Sequence, residues 1–106
     1  MKKAIIALIA LLSVTVSNAT VAEITAEEED YCRDLANSAL IIMEKRQEGV
    51  SQSEMISRAL GQPALEKIVR HAYSEQRYSD QSQKDEATLF FQQVRHLMCF
   101  QAASTN

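Results

Sequence analysis

The sequence has 106 residues, of which 14 are acidic and 11 basic, so its formal net charge is −3 at pH 7. An acidic chain without a basic stripe is poorly suited to the phosphate backbone of nucleic acids. Its two glycines are also too few for a glycine-rich phosphate-binding loop. Composition therefore argues against nucleic-acid binding and against nucleotide chemistry.

The N-terminus has the pattern of a secretory signal peptide. Two lysines follow the first methionine, a short apolar run comes next, and small residues precede two candidate cleavage points, after Ala19 and after Ala22. The apolar run is shorter than the roughly 20 residues that cross a bilayer. We therefore expect residues 1–19 to be a signal peptide, cleaved after residue 19 or 22. Residues 20–106 are expected to form a single helical domain, exported to the periplasm without a membrane span.

The exported chain contains two cysteines, Cys32 and Cys99. After signal removal it keeps 14 acidic and 9 basic residues, a formal net charge of −5, in a domain of about 85 residues whose core is only marginally sufficient. Two cysteines in an oxidising compartment are expected to pair. A disulfide that closes so long a loop stabilises a fold by about 4 kcal/mol in the chain-entropy model. A redox thiol or a metal site is the alternative, but the sequence lacks the CxxC spacing.

Apolar residues recur at spacings of three and four along the chain, which predicts an all-α domain of four helices. The first helix begins at a capping box from Thr25 to Glu28 and ends near Glu48, with Gly49 as a left-handed C-cap. Its predicted inner face consists of Cys32, Leu35, Ala36, Ala39, Ile42 and Met43.

The two middle helices are shorter. Ser51 and Glu54 form a second predicted capping box, and Gly61 ends that helix. Pro63 fits the first turn of the third helix, which is expected to fade near Arg77. The predicted buried residues are Met55, Ile56 and Leu60 on the second helix and Leu65, Ile68, Val69, Ala72 and Tyr73 on the third.

The fourth helix is expected from Ser82 to Ala102, after a turn near Tyr78. A disulfide between Cys32 and Cys99 requires the first and last helices to lie antiparallel, side by side. Cys99 falls at the edge of the apolar stripe, so we expect the helix to rotate or fray there. The predicted core stripe is Ala87, Phe90, Phe91, Val94, Leu97 and Met98.

Catalytic chemistry has little support in the sequence. His71 and His96 are the only imidazoles, and neither belongs to a recognisable catalytic signature. His71 and Glu75 are four residues apart and share a helix face, but a metal site needs three or four ligands. We therefore predict that the protein is not an enzyme and has no metal and no cofactor.

Four residues near helix ends are candidates for contact with another protein: Arg46, Gln47, Arg77 and Tyr78. Arginine and tyrosine are enriched at interfaces. A basic residue late in a helix also complements the helix dipole, which is an alternative explanation of Arg46. Helix capping does not account for Gln47.

Several short motifs follow one another in a recognisable order. These are A-x-x-I-M-x-x-R-Q-x-G-V (39–50), Met55-Ile56, I-V-x-x-A-Y (68–73), Arg77-Tyr78, Phe90-Phe91 and Cys99. The order resembles a group of small exported helical proteins of Gram-negative bacteria and their phages that have no assigned function. Members often have proline before the arginine of the fourth motif, where this chain has Gln76. The resemblance implies an exported helical domain and supplies no activity.

Two functions remain open at this point. The first is a small periplasmic, non-enzymatic module that binds an envelope or periplasmic protein, as an inhibitor, an immunity factor or another partner binder. The alternative is an acid- or stress-activated periplasmic chaperone, because the 14 carboxylates would lose their charge in acid and the native state would weaken.

Overall fold

The computed structural model describes residues 23–104. The predicted signal peptide and both cleavage points lie outside these residues. The described part consists of four α-helices without a strand, so the all-α prediction is confirmed. The helices are α1 (Ala26–Glu48), α2 (Gln52–Arg58), α3 (Pro63–Ser74) and α4 (Gln81–Ser104).

Both ends of α1 are capped as the sequence predicts. The Thr25 hydroxyl accepts a hydrogen bond from the Glu28 N–H at 3.1 Å, and the Glu28 carboxylate accepts one from the Thr25 N–H at 3.0 Å. At the other end Gly49 has φ +93° and donates its N–H to the Arg46 carbonyl oxygen at 3.1 Å. A Cβ at Gly49 would also lie 2.6 Å from Arg77 Nη2. The Arg77 guanidinium can shift away from such a Cβ, so the left-handed backbone conformation is what favours glycine there.

α2 begins after Ser51 as predicted, but only the Ser51 half of the predicted capping box is formed, and the end of the helix also differs. The Ser51 hydroxyl accepts a hydrogen bond from the Glu54 N–H at 3.2 Å, whereas the Glu54 carboxylate accepts from Arg58 Nη2 at 3.4 Å. Leu60, predicted to be buried, is 71% exposed, and Ala59 is buried in its place. The prediction for Leu60 was wrong because the helix ends at Arg58, and the buried face that continues from Met55 one turn later falls on Ala59.

α3 begins at Pro63 as predicted and ends at Ser74, three residues earlier than expected. Ile68, Val69 and Ala72 are buried, as the sequence indicated. After Ser74 the backbone becomes extended, with φ −81° and ψ 156° at Glu75. Beyond the helix, backbone groups of Glu75, Gln76 and Tyr78 form hydrogen bonds with side chains of α1.

α1 is the central helix of the domain. α4 packs along it on one side and α3 packs along it on another, while α2 closes one edge against α3. Cys32 and Cys99 form a disulfide with their Cα atoms 5.4 Å apart, so the predicted pairing and the antiparallel arrangement of α1 and α4 are confirmed. The core that these helices share consists of Ala39, Ile42, Met43, Met55, Ala59, Ile68, Val69, Ala72 and Phe91.

The orientation of α4 differs from the prediction. Phe91 is buried, but three residues of the predicted core stripe are exposed: Phe90 (67%), Leu97 (57%) and Met98 (43%). At 3.6 residues per turn, Cys99 lies two and a half turns after Phe90 and therefore on the opposite side of the helix. The disulfide holds Cys99 against α1, so Phe90 turns outward. The helix has rotated and not frayed, since it continues to Ser104.

Candidate functional site

The structure brings all four candidate interaction residues to one corner, where α1 ends beside the segment that leads into α4. We call this corner the joint: Arg46, Gln47, Arg77 and Tyr78, together with the backbone of residues 75–78. Gln47 is buried, Arg77 is exposed, and the other two side chains are half-buried. The joint connects parts of the chain that are about 30 residues apart in sequence.

Gln47 is the centre of the joint. Its Nε2 donates to the Gln76 carbonyl oxygen at 2.9 Å, and its Oε1 accepts from the Tyr78 N–H at 2.8 Å. A primary amide has both a donor and an acceptor, so this one side chain pairs with both backbone groups. Gln47 thus satisfies two polar groups of a segment that belongs to neither a helix nor a sheet.

Both arginines of the joint are also bonded within the chain. Arg46 Nη2 donates to the Glu75 carbonyl oxygen at 3.2 Å, and its guanidinium lies 5.3 Å from the centroid of the Tyr73 ring. Arg77 Nε donates to the Gln47 carbonyl oxygen at 3.3 Å and so satisfies one of the free carbonyls at the end of α1. Burial raises the pKa of the Tyr73 hydroxyl, and the charge of Arg46 opposes that rise. The hydrogen bonds of the joint therefore hold the end of α1 to residues 75–78 within the chain.

Tyr78 belongs to the joint and also lines an apolar groove. α3 and α4 both pack on α1 but make little contact with each other, which leaves a groove of about 300 Å³ between them. Met43 and Phe91 belong to its floor, and His71 lies on the α3 side. We call it the α3–α4 groove. Most of its lining is carbon, as is usual for sites that bind a ligand or a partner side chain.

One wall of the groove belongs to a continuous apolar stripe on α4. The stripe consists of Phe90, Val94, Leu97 and Met98, at positions i, i+4, i+7 and i+8, and we call it the outer stripe. Phe90, Val94 and Met98 line the groove, and Leu97 extends the stripe beyond it. Spacing of this kind marks the face with which one helix meets another.

The outer stripe is not predicted as a surface by the sequence, because apolar periodicity places its residues in the core. The signal that could have found it was the nine-residue offset between Phe90 and Cys99, which places them on opposite sides of the helix.

Arg95 is the basic residue of the groove, and Glu75 is the acidic one. Its guanidinium lies 5.3 Å from the centroid of the Phe91 ring, and burial lowers the pKa of Arg95. The ion pairs of residues 23–104 join near neighbours on one helix, and none of them includes Arg95. A half-buried cation thus lies against an aromatic ring, and no carboxylate of residues 23–104 forms an ion pair with it.

The two histidines lie in different surroundings. His71 lines the groove together with Glu75, whereas the His96 ring stacks on Phe100 with a centroid separation of 4.5 Å. Across residues 23–104 the structure places no group of three or more His, Cys, Asp or Glu side chains suitably for a metal ion. Nor does any helix in the described range have the length and apolarity required to cross a membrane.

The comparisons with known proteins add no relative, because the chain matches no protein-family model, no curated protein and no solved structure. The resemblance to small exported helical proteins therefore stays a prediction, and the joint and the groove are interpreted from their own geometry.

Proposed function

We propose that the chain is a small periplasmic protein that binds another protein and is not an enzyme. In this proposal the chain acts as an inhibitor, as an immunity factor or as a binder of an envelope partner. The observation that carries the proposal is the outer stripe: Phe90, Leu97 and Met98 are large, adjacent and exposed. Contiguous apolar patches are uncommon on proteins that act alone and are typical of interaction surfaces.

The residues around the stripe support the same proposal. Tyr78 and Arg95 line the groove beside it, and arginine, tyrosine and methionine are enriched in protein interfaces. Arg77 and Tyr78 stay candidates for direct contact, because Arg77 is exposed and Tyr78 reaches the groove. Gln47 and Arg46 contribute by holding the backbone of residues 75–78 in place.

Site-specific photo-crosslinking in the native cell tests the proposal. A photoreactive residue replaces Leu97 in the outer stripe or, as a control, exposed Gln52 on α2. We expect a discrete adduct with one protein from position 97 and none from position 52. Further positions on α1 and α3, such as Ile41 and Lys67, sample the remaining surface. If none of these positions gives a discrete adduct, the chain does not act by binding a protein.

The location and maturation of the chain are tested on the same cells. We expect the chain in the periplasmic fraction, with its first residue at position 20 or 23 and a mass lighter by two hydrogens than that of its reduced form. A chain that keeps residues 1–19 and fractionates with the cytoplasm would contradict export.

An acid- or stress-activated chaperone is the second candidate, and the exposed outer stripe supports it too, because chaperones hold unfolded clients on apolar surfaces. The ion pairs of residues 23–104 join near neighbours at the surface, so each contributes little to stability. Loss of these pairs in acid would therefore weaken the fold only slightly, which counts against activation by acid. The assay is suppression of aggregation of an acid-denatured client at low pH. A mature chain that keeps its fold in acid and leaves the client to aggregate eliminates this candidate.

A further inference from the structure

We propose that the α3–α4 groove binds an amphipathic helix of the partner protein, and that an acidic side chain of this helix pairs with Arg95. The inference rests on the proposed function and adds the place at which the partner binds and the chemistry that it carries. Its support comes from the shape of the groove, the unpaired charge in it and the poor fit of a second copy of the chain.

The outer stripe has the length and spacing that a helix requires. From Phe90 to Met98 it covers eight residues, or about 12 Å at 1.5 Å per residue, which is slightly more than two helical turns. A partner helix with apolar side chains at i, i+3 or i+4, and i+7 matches such a stripe. Because α1 supports both walls of the groove, a helix placed there would pack against α3 and α4 together.

Arg95 defines the charge of the partner. Its guanidinium is partly removed from water and has no carboxylate partner within residues 23–104. A carboxylate gains a charge-assisted hydrogen bond there, which is roughly twice as strong as one between neutral groups. Glu75 lines the groove at the end near the joint and repels a second acid at that end. The acidic residue of the partner therefore belongs toward Met98.

A second copy of the chain fits the groove poorly. If two outer stripes paired antiparallel about Val94, Arg95 of each copy would lie beside Arg95 of the other, and both cations would lack a counterion. Parallel pairing in register gives the same juxtaposition. Glu86, an acidic residue of α4 that does not line the groove, lies nine residues before Arg95, or about 13 Å along the helix. Antiparallel pairing centred between Phe90 and Phe91 would bring Glu86 of each copy to Arg95 of the other, but it would place Leu97 and Met98 against Lys84 and Gln83. A second copy therefore satisfies either the charge or the outer stripe, whereas an acidic amphipathic helix satisfies both.

Peptide display on the mature, oxidised protein tests the proposal. The library consists of 16-residue helices with leucine fixed at i, i+3, i+4 and i+7 and with glutamate, lysine, glutamine or alanine at the other positions. We expect enrichment of peptides that carry glutamate at one position beside the leucine face. An enriched peptide should bind about tenfold more tightly than its own glutamate-to-glutamine variant, the ratio expected for one charge-assisted contact. Arg95→Gln in the protein should abolish that ratio.

Matched variants locate the site. Leu97→Ser lies in the outer stripe and should weaken every enriched peptide at least tenfold. Leu89→Ser changes a leucine of similar exposure, 51% against 57%, on another side of α4 and should change nothing. Circular dichroism verifies that both variants are folded. Equal loss in the two variants, retention of the glutamate preference in Arg95→Gln, or failure to enrich any peptide would overturn the proposal.

Two further outcomes separate this inference from the proposed function. Sedimentation that shows a dimer of the wild-type chain, lost in Leu97→Ser, would assign the groove to a second copy. A discrete photo-crosslink from Ile41 or Lys67 together with none from Leu97 would keep the proposed function and reject the groove as its site.

Discussion

Gln47→Ala is expected to destabilise the fold far more than an ordinary glutamine substitution. The side chain is 2% exposed and makes two hydrogen bonds to backbone, at 2.9 and 2.8 Å. Each bond contributes about 0.5–1.5 kcal/mol net, and an unpaired partner costs about 1–3 kcal/mol where water does not reach it. We therefore expect a loss of about 2–4 kcal/mol in the free energy of unfolding. In a domain of this size that corresponds to a melting temperature lower by roughly 10–25 °C.

Urea denaturation followed by circular dichroism measures this loss. The matched control is Gln92→Ala, which removes a solvent-accessible amide hydrogen bond to Asn37 and should change the free energy of unfolding by no more than about 0.5 kcal/mol. If Gln47→Ala costs no more than the control, the joint contributes nothing to stability and our account of it is wrong.

Gln47→Glu tests the same contacts through pH. A carboxylate cannot donate to the Gln76 carbonyl oxygen, and burial raises its pKa because it penalises the charged form. The folded state then binds the proton more tightly than the unfolded state, so the penalty is smallest in acid and grows as pH rises through the unfolded value. Relative to wild type, the variant should lose less stability at pH 4 than at pH 7. A penalty that is independent of pH would contradict the burial of this side chain.

Three further predictions concern α4, the disulfide and the first turn of α1. Phe91→Ala should lower the free energy of unfolding by about 3–5 kcal/mol and Phe90→Ala by less than about 1 kcal/mol, because only Phe91 is buried. Equal losses of unfolding free energy in chemical denaturation would contradict the orientation of α4. Reduction of Cys32–Cys99 should lower the free energy of unfolding by about 4 kcal/mol, and equal denaturation curves with and without reductant would refute this. The Thr25 backbone N–H donates to the Glu28 carboxylate and lowers the pKa of that carboxyl below the ordinary 4.5. The contact therefore stabilises the fold fully above pH 4.5, and this stabilisation is lost as pH falls through the lower pKa of the folded state. Titration by NMR checks the direction, and an ordinary value would show that the capping box is open in solution.

Features set by neighbouring residues could be predicted from the sequence. The capping box at Thr25, the left-handed Gly49 and Pro63 in the first turn of α3 each depend on contacts within a few residues, and the structure confirms all three. The disulfide could be predicted because a chain with two cysteines has one pairing available.

The orientation of α4 could not be predicted from hydrophobicity alone, because two requirements conflict in that helix. Apolar periodicity favours burial of Phe90 and Leu97, whereas the disulfide requires Cys99 to face α1. A covalent bond outweighs the burial of either side chain, so the helix takes the orientation that the bond imposes.

The joint could not be predicted because its partners carry no signal in the sequence. Gln47 bonds to backbone atoms of residues 76 and 78, and backbone atoms are the same whatever the side chain is. Helix capping does not explain Gln47, but the sequence contains nothing that points to a segment 29 residues away. Long-range contacts between a side chain and backbone are therefore found only once the fold is known.

The position of the disulfide also determines how the chain responds to force. α1 starts and α4 ends at the same pole of the molecule, and Cys32 and Cys99 are covalently joined there. Tension applied to the two ends of the described chain passes through that bond and does not load the joint or the core. Only the short segments outside the loop can extend while the bond is intact. Its reduction releases a sequence separation of 67 residues, which adds roughly 220–240 Å of extensible chain.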